Sequence, residues 1–354
     1  MTVINPKSPV LVTGASGYLA SWLVKYLLEA GHTVHGTVRE PGKKSGLEHL
    51  QKLANEHGSR LKLFKSDLLD AGSYDTAMQG CELVMHTASP FVISGIKNNY
   101  EELVRPALEG TRNVLESVNR IASVKRVVLT SSVVAVYGDN IDGLQVPGGV
   151  FTEEHWNTSS TVDHQPYPYS KVVAEKEAWA IQKKQSRWDL VTINPGLVLG
   201  PSLTKASASM SLDFIKQLAN GTMYPAAPDL WMGVVDVRDA AQAHIKAGFT
   251  PGAQGRHITN AANTTALELG RLLRNKFGDG YKFPRFTAPK LLVWLMAPMA
   301  GITRKFVSQN VGYKIGFDNK KSVRDLGLKY RPLSETVCDH FQQVLDDRLM
   351  RKRG

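Results

Sequence analysis

Tyr167 and Lys171 stand four residues apart in Tyr167-Pro-Tyr-Ser-Lys171, a spacing that brings a phenol and an ammonium to one face of a helix. A phenol at its usual pKa of about 10 exchanges its proton reluctantly at neutral pH, and a nearby ammonium stabilises the phenolate and shifts it downward. Such a pair can serve an oxygen on which charge is building. With 11 tyrosines in the chain, about one such spacing is expected by accident, so position carries the weight. The pair opens a helix between two expected core strands, downstream of Ser131-Ser132 at the end of a third. Tyr169, two residues from Lys171, would face away from it. Pro168 biases Tyr167 away from helical geometry, so Tyr167 is expected at the helix cap with Pro168 first in the helix.

A second constellation lies near the start. In Val10-Leu-Val-Thr-Gly14-Ala-Ser16-Gly17-Tyr18-Leu19-Ala20 the glycines fall where a strand turns into a helix, so backbone N–H groups can approach a pyrophosphate at the positive helix end. Ala20 adds only a methyl group where glycine is frequent. Arg39 ends the second expected strand and is followed by Glu40, Lys43 and Lys44. A guanidinium there suits a 2′-phosphate, whereas a carboxylate suits ribose hydroxyls. The reading is NADP(H) in preference to NAD(H), with Glu40 keeping NAD(H) open.

These groups need a scaffold. Short apolar runs at Val10–Val12, Thr33–Val38, Leu61–Phe64, Leu83–His86, Arg126–Leu129 and Leu190–Ile193 alternate with helical periodicity at Tyr18–Leu28, Tyr100–Val118 and Ser170–Ile181. That alternation predicts an α/β fold with a doubly wound parallel sheet of the Rossmann type. Ala30-Gly31 supplies the stop after the first helix. From about Pro195 the pattern changes to helices at Leu212–Leu218, Ala240–Ala247, Leu267–Lys276 and Leu333–Leu349 with short strands. We read residues 1–195 as the cofactor-binding domain and 196–354 mostly as a smaller C-terminal lobe covering the substrate. Part of it, about 233–250, is expected to return to the first domain, with Gly233–Asp239 extending the sheet. Gly138–Pro168, the longest connection, is the candidate active-site loop.

The ordered set Gly14-x-x-Gly17, Asp67-Leu68, His86-Thr87-Ala88, Thr130-Ser131-Ser132, Tyr167-x-x-x-Lys171 and Pro195-Gly196 resembles the extended short-chain dehydrogenase/reductase superfamily over nearly the whole chain. Thr37-Val-Arg39-Glu-Pro41 and Ala174-Glu175-Lys176 with Trp179 are most similar to its dihydroflavonol-4-reductase-like and carbonyl-reducing branch. The resemblance implies a Ser-Tyr-Lys mechanism in which Tyr167 donates a proton as hydride reaches a carbonyl carbon, Lys171 also holds the nicotinamide ribose, and Ser132 positions the oxygen. Ser132 is preferred to Ser131 because alternate strand residues face opposite ways and because its 35-residue interval to Tyr167 resembles the closer relatives. Alignment on Val136-Tyr137-Gly138 would instead place Val133 there, a mismatch that argues against an epimerase.

The same resemblance implies that Asp67 accepts from the adenine amino group with Leu68 assisting, and that Thr87, Ala88, Ser89 and Thr130 run beside the cofactor. Pro195, Gly196, Leu197 and Val198 would bring backbone to the nicotinamide amide. Phe91, Tyr137 and Trp231 are candidates for an apolar substrate pocket. His164-Gln-Pro-Tyr-Pro-Tyr169 departs from the Asn-Trp-Tyr-Cys-Tyr run expected of a cinnamoyl-CoA reductase.

The leading expectation is therefore an NADPH-dependent reductase of a ketone or aldehyde, reversible as an alcohol dehydrogenase. A sugar-nucleotide epimerase or dehydratase and a 3β-hydroxysteroid-type dehydrogenase follow, and a non-catalytic NADP(H) sensor is disfavoured by the intact Ser-Tyr-Lys set. A formal charge of +11 is spread along the chain and reads as a solvated surface with a small anionic ligand rather than nucleic acid. Cys81 and Cys338 are the two cysteines, too few for a disulfide framework or a zinc site, and no His/Asp/Glu cluster has metal spacing. With no room for a secretory signal before Gly14, a cytoplasmic location is expected. Leu291–Met299 is too short to span a bilayer and is expected on a protein core, with a membrane surface as the alternative. The basic end at 348–354 reads as a solvated tail. No seam specifies a monomer or a homodimer.

Overall fold

The computed structural model describes residues 1–43, 45–89, 96–204 and 210–350. Lys44 and Phe91, both named above, lie outside the described residues.

Seven parallel strands form the central sheet: β1 (Val10–Val12), β2 (Val34–Val38), β3 (Leu61–Lys65), β4 (Leu83–His86), β5 (Arg126–Thr130), β6 (Asp189–Pro195) and β7 (Gly255–Thr259). Their order is β3-β2-β1-β4-β5-β6-β7, so the chain winds outward from β1 and then restarts at β4 on its other side. Parallel strands need crossovers that cover both faces, and the side chains divide accordingly. Val10 and Val12 pack with Leu23, Val24 and Leu27 of helix α1 (Tyr18–Glu29). Leu11, between them, points the other way to Val114, Leu115 and Val118 of helix α2 (Arg105–Arg120). α1 stops where expected, at Gly31 with φ +91°, whose N–H returns to the Leu28 carbonyl. α2 starts later than its periodicity suggests, because Tyr100–Val104 forms a π-helical turn ahead of it.

Beyond Pro195 the four expected helices form, but the strands depart from expectation. Met232–Asp236 does not extend the central sheet. It forms a separate three-stranded sheet with Leu197–Leu199 and Ala262–Thr264. The returning parts are helix α4 (Val237–Phe249), which packs against α1, and β7, which pairs with β6 at the sheet edge. β7 escaped the sequence reading because Gly-Arg-His-Ile-Thr carries three polar side chains, of which Arg256 and His257 find their partners, Glu175 and Lys321, far away in the chain. The long connection is not structureless either: Val150–Phe151 pairs with Gly316–Phe317 from the far end of the chain.

The apolar run at 291–299 is likewise corrected. Val293, Trp294 and Ala297 face a small cluster with Val307 and Val311, but Leu291, Leu292, Leu295, Met296 and Met299 are exposed. Among the described residues no helix is long and apolar enough to cross a membrane.

Candidate active site

The turn after β1 is built for close approach of an anion. Gly14 has φ +65°, and a Cβ there would lie 3.1 Å from the Ala88 Cβ and 3.2 Å from its Cα. Only glycine allows the two strand ends to pass so closely. Gly17 caps α1 with no side-chain hydrogen bond, and α1 carries no acidic residue in its first turn. The first backbone bond into the helix is Ser21 N–H to the Gly17 carbonyl, so the amides of Tyr18 and Leu19 have no intrahelical acceptor and sit at the positive end of the helix dipole. Ser16 lies partly buried in the turn. The Tyr18 side chain leaves it, its hydroxyl donating to the Gly200 carbonyl at 2.5 Å.

Thr13 stitches this turn to the end of β4. Its hydroxyl oxygen accepts from Thr87 N–H at 3.1 Å and Ala88 N–H at 3.0 Å. Its own proton is therefore left for His86 Nδ1, at 2.9 Å. Burial, and then the charge of Lys171, hold His86 down at about 3, so the ring is neutral and accepts. One strand over, Thr130 meets His244 Nε2 at 2.7 Å while His244 Nδ1 faces the Ala240 carbonyl. Burial lowers this histidine to about 4, and the carbonyl at Nδ1 leaves Nε2 as acceptor for the threonine hydroxyl.

Ser131 and Ser132 diverge at the end of β5. Ser131 is buried and donates to the Glu175 carboxylate. Ser132 is partly exposed, caps the turn at Val133–Ala135 and lies 3.4 Å from the Pro195 carbonyl. Glu175 is itself buried and also meets Asn194 Nδ2 at 2.9 Å and Arg256 Nε at 2.7 Å. Asn194 in turn donates to the Ser132 carbonyl at 3.1 Å, and the Arg256 guanidinium stacks 3.9 Å from the Trp156 ring centre.

Helix α3 (Pro166–Gln182) carries the tyrosine and lysine. It begins two residues earlier than the proline argument implied: Tyr167 lies inside the first turn rather than at the cap, and Pro166 precedes it. First-turn N–H groups lack helical partners in any case, so Pro166 and Pro168 cost no helical hydrogen bond. The cap is Gln165, held at φ 57° by its side chain, which donates to the Gly138 carbonyl at 2.8 Å and to Asp139 at 2.6 Å. Lys171 Nζ lies 5.7 Å from the Tyr167 ring centre and donates to Ser89 Oγ at 3.0 Å. Loss of solvent lowers Lys171 to about 8 and pushes Tyr167 up to about 12. The phenol is thus not shifted downward as expected; desolvation outweighs the ammonium across this separation.

Leu68, Ala88, Ser89, Thr130, Ser131 and Lys171 line one small cleft, which brings together residues from the ends of β4 and β5 and from α3. Ser132 and Tyr167 are outside that lining. Arg39 is exposed at the end of β2 and has no ion-pair partner among the described residues, whereas Glu40 is paired with Lys43 at 3.8 Å. Asp67 is exposed and closes its own turn by accepting from Leu69 N–H at 2.9 Å; the Leu68 carbonyl accepts from Asn113 at 2.7 Å. Pro195 ends β6, and a Cβ on Gly196 would stand 2.6 Å from the Gly233 carbonyl oxygen, so glycine is required where Leu197 and Val198 enter the small sheet. Tyr137 and Trp231 share a cluster with Val133, Phe151 and Phe317. Among the described residues no group of His, Cys, Asp and Glu could hold a metal ion.

The sequence reading missed Asp139, Asn194, His244, Arg256 and Phe317, and treated Glu175 only as a mark of likeness. Glu175 had a signal, since it follows Lys171 by four residues and shares its face. Arg256 had none.

A doubly wound sheet with an anion-binding turn at its switch point defines a Rossmann-type, dinucleotide-binding fold. A family model described as the NAD dependent epimerase/dehydratase family matches residues 10–261. Cinnamoyl-CoA reductase CAD2 of Medicago truncatula is 37% identical over 347 residues, covering 97% of this chain and 98% of that protein. Tetraketide alpha-pyrone reductase 1 of Arabidopsis thaliana is 38% identical over 346 residues, 96% of each. The structure of yeast methylglyoxal/isovaleraldehyde reductase Gre2 complexed with NADPH matches with a TM-score of 0.77 and 28% identity, over 96% of this chain and 99% of its own. The chain belongs to the NAD dependent epimerase/dehydratase family, and is an oxidoreductase of the extended short-chain dehydrogenase/reductase type.

Proposed function

We propose that this protein reduces a ketone or aldehyde to an alcohol with NADPH, through Tyr167, Lys171 and Ser132. The observation that carries this reading is the Tyr167–Lys171 pair itself: one helix face, 5.7 Å from ammonium to ring centre, in a site dry enough to move both pKa values. The Gly14 turn, the free amides of α1 and an Arg39 without an ion-pair partner among the described residues fit a dinucleotide bearing a 2′-phosphate, in keeping with the NADPH bound to the yeast reductase. On this reading Gly14 to Leu19 hold the pyrophosphate, Arg39 the 2′-phosphate, Asp67 and Leu68 the adenine, and residues 87–89, Thr130 and 195–198 the nicotinamide side. Residues 1–195 supply the cofactor site and 196–354 mostly cover the substrate, with α4 and β7 returning.

Bound there, the nicotinamide supplies hydride to the carbonyl carbon. Tyr167, a phenol that stays protonated at neutral pH, gives its proton to the carbonyl oxygen, so hydride and proton together account for the alcohol. Ser132 Oγ–H donates a second hydrogen bond to that oxygen, and Lys171 stabilises the phenolate left behind. Tyr137 and Trp231 present apolar surface to the substrate.

The test is NADPH oxidation against a panel of carbonyl compounds. Tyr167→Phe is expected to lower kcat by at least about a hundredfold while NADPH binding, read by fluorescence, is kept. Binding without turnover on any carbonyl, in the wild type, would overturn the enzymatic reading. Arg39→Ala is expected to weaken NADPH about tenfold or more with little change for NADH; unchanged NADPH affinity would remove the cofactor preference.

A further inference from the structure

We infer that the apolar face at Leu291–Ile302 docks the protein onto an anionic lipid surface. A helix that is apolar all round belongs in a core, yet Lys290–Met296 is covered on one side only. Val293 and Trp294 meet the cluster around Val307 and Val311, while Leu291 is 70% exposed and Met299 86%. Leu295 and Met296 join them, with Ile302 and Phe286 exposed nearby in sequence. A contiguous patch of large apolar side chains marks an interaction surface.

Charge selects the occupant. From Tyr281 to Phe317 the chain carries six Lys and Arg residues and no Asp or Glu, against +11 for the whole. The surplus that reads as scattered is thus more than half gathered here. Lys282, Arg285, Lys290, Arg304, Lys305 and Lys314 are all exposed. Two of them lie along aromatic rings, Arg304 4.4 Å from the Trp294 centre and Lys290 4.3 Å from the Tyr313 centre, while Arg285 is paired with Asp279 and Lys314 lies over Trp231. Exposed apolar side chains on a segment of net positive charge match the boundary between acyl chains and acidic headgroups. A second copy fits poorly, since a two-fold contact would set these cations against themselves with no carboxylate from the segment to pair. At seven residues the helix is about 10 Å long, so it lies on the bilayer rather than crossing it.

The test is flotation of the full-length protein, with NADPH present, with vesicles of phosphatidylcholine alone or containing phosphatidylserine. Recovery with the acidic vesicles at low salt is expected to exceed that with phosphatidylcholine by about tenfold or more and to fall as salt rises. Leu291→Ser/Leu295→Ser/Met299→Ser and, separately, Arg285→Ser/Lys305→Ser should each lose most of that recovery at an unchanged melting temperature. No flotation overturns the inference. So does flotation unchanged in the apolar variant, which would place the contact on other basic chain. A solution dimer that dissociates in the apolar variant, without flotation, overturns it in favour of a second copy.

Discussion

Below about pH 8 Lys171 carries its proton and can stabilise a phenolate at Tyr167; above it, the amine is neutral and cannot. The proposed mechanism needs both groups in their protonated forms, and Lys171, lowered to about 8, loses its proton well before Tyr167 at about 12. The kcat/KM for carbonyl reduction should therefore be level on the acid side of 8 and fall above it. In Lys171→Arg, whose guanidinium keeps its charge, the fall should move to higher pH. A pH–rate profile checks both, and an alkaline limb that stays in place in Lys171→Arg would assign it to another group. At this scale the sequence was most informative where chemistry and spacing are local. Tyr167 with Lys171, and Gly14 with Gly17, lie within a turn of each other. The choice between Ser131 and Ser132 rested on strand alternation and on the interval to Tyr167; in the structure Ser131 is committed to Glu175, a partner 44 residues away. Such a partner leaves no trace in spacing.

At the level of elements, the entry to α3 decides where Tyr167 points. Pro168 argued for a helix starting at that residue, yet the helix takes in Pro166 as well because its first turn has no hydrogen bonds to lose. What fixes the entry is the buried Asp139, which accepts from Gln165, His164 at 2.7 Å and Asn310 at 2.6 Å. These donors come from the helix entry and from a helix far along the chain. Asp139→Ala should cost about 2–4 kcal/mol, because buried donors lose their acceptor, and should lower kcat more than it raises KM. Denaturant unfolding and steady-state kinetics measure the two effects. Stability and kcat both at wild-type levels would show that α3 is held elsewhere.

At the scale of the molecule, the strands of the first half were legible because their apolar runs are continuous, and expected and observed ends of β1 and β4 coincide; the helices Glu48–His57 and Asp75–Met78 were not expected. In the second half the helices expected at Leu212–Leu218, Ala240–Ala247, Leu267–Lys276 and Leu333–Leu349 all form, but the sheets were not legible, since Met232–Asp236 and β7 are short strands whose sheet is chosen by distant partners. Arg126 shows how far such partners reach. Fully buried on β5, it grips Asp189 with two bonds, at 2.7 and 2.9 Å, and caps the end of α4 through the carbonyls of Ala247 and Thr250. Arg126→Leu should destabilise the protein by about 3–5 kcal/mol, seen as a lower denaturant midpoint in a single transition. Two separated transitions would mean that the parts fold independently.

The chain crosses between the central sheet and the small sheet three times, at Pro195–Leu197, at Asp236–Val237 and at Thr259–Ala262, and two of these crossings touch, Gly196 N–H donating to the Thr259 carbonyl at 3.0 Å. A C-terminal half threaded in this way cannot be exchanged between relatives as a cassette. A chimera joined at residue 196 would import a foreign edge strand and a foreign helix into the cofactor sheet. Grafts confined to the surface connections, such as 138–168, leave that weave intact.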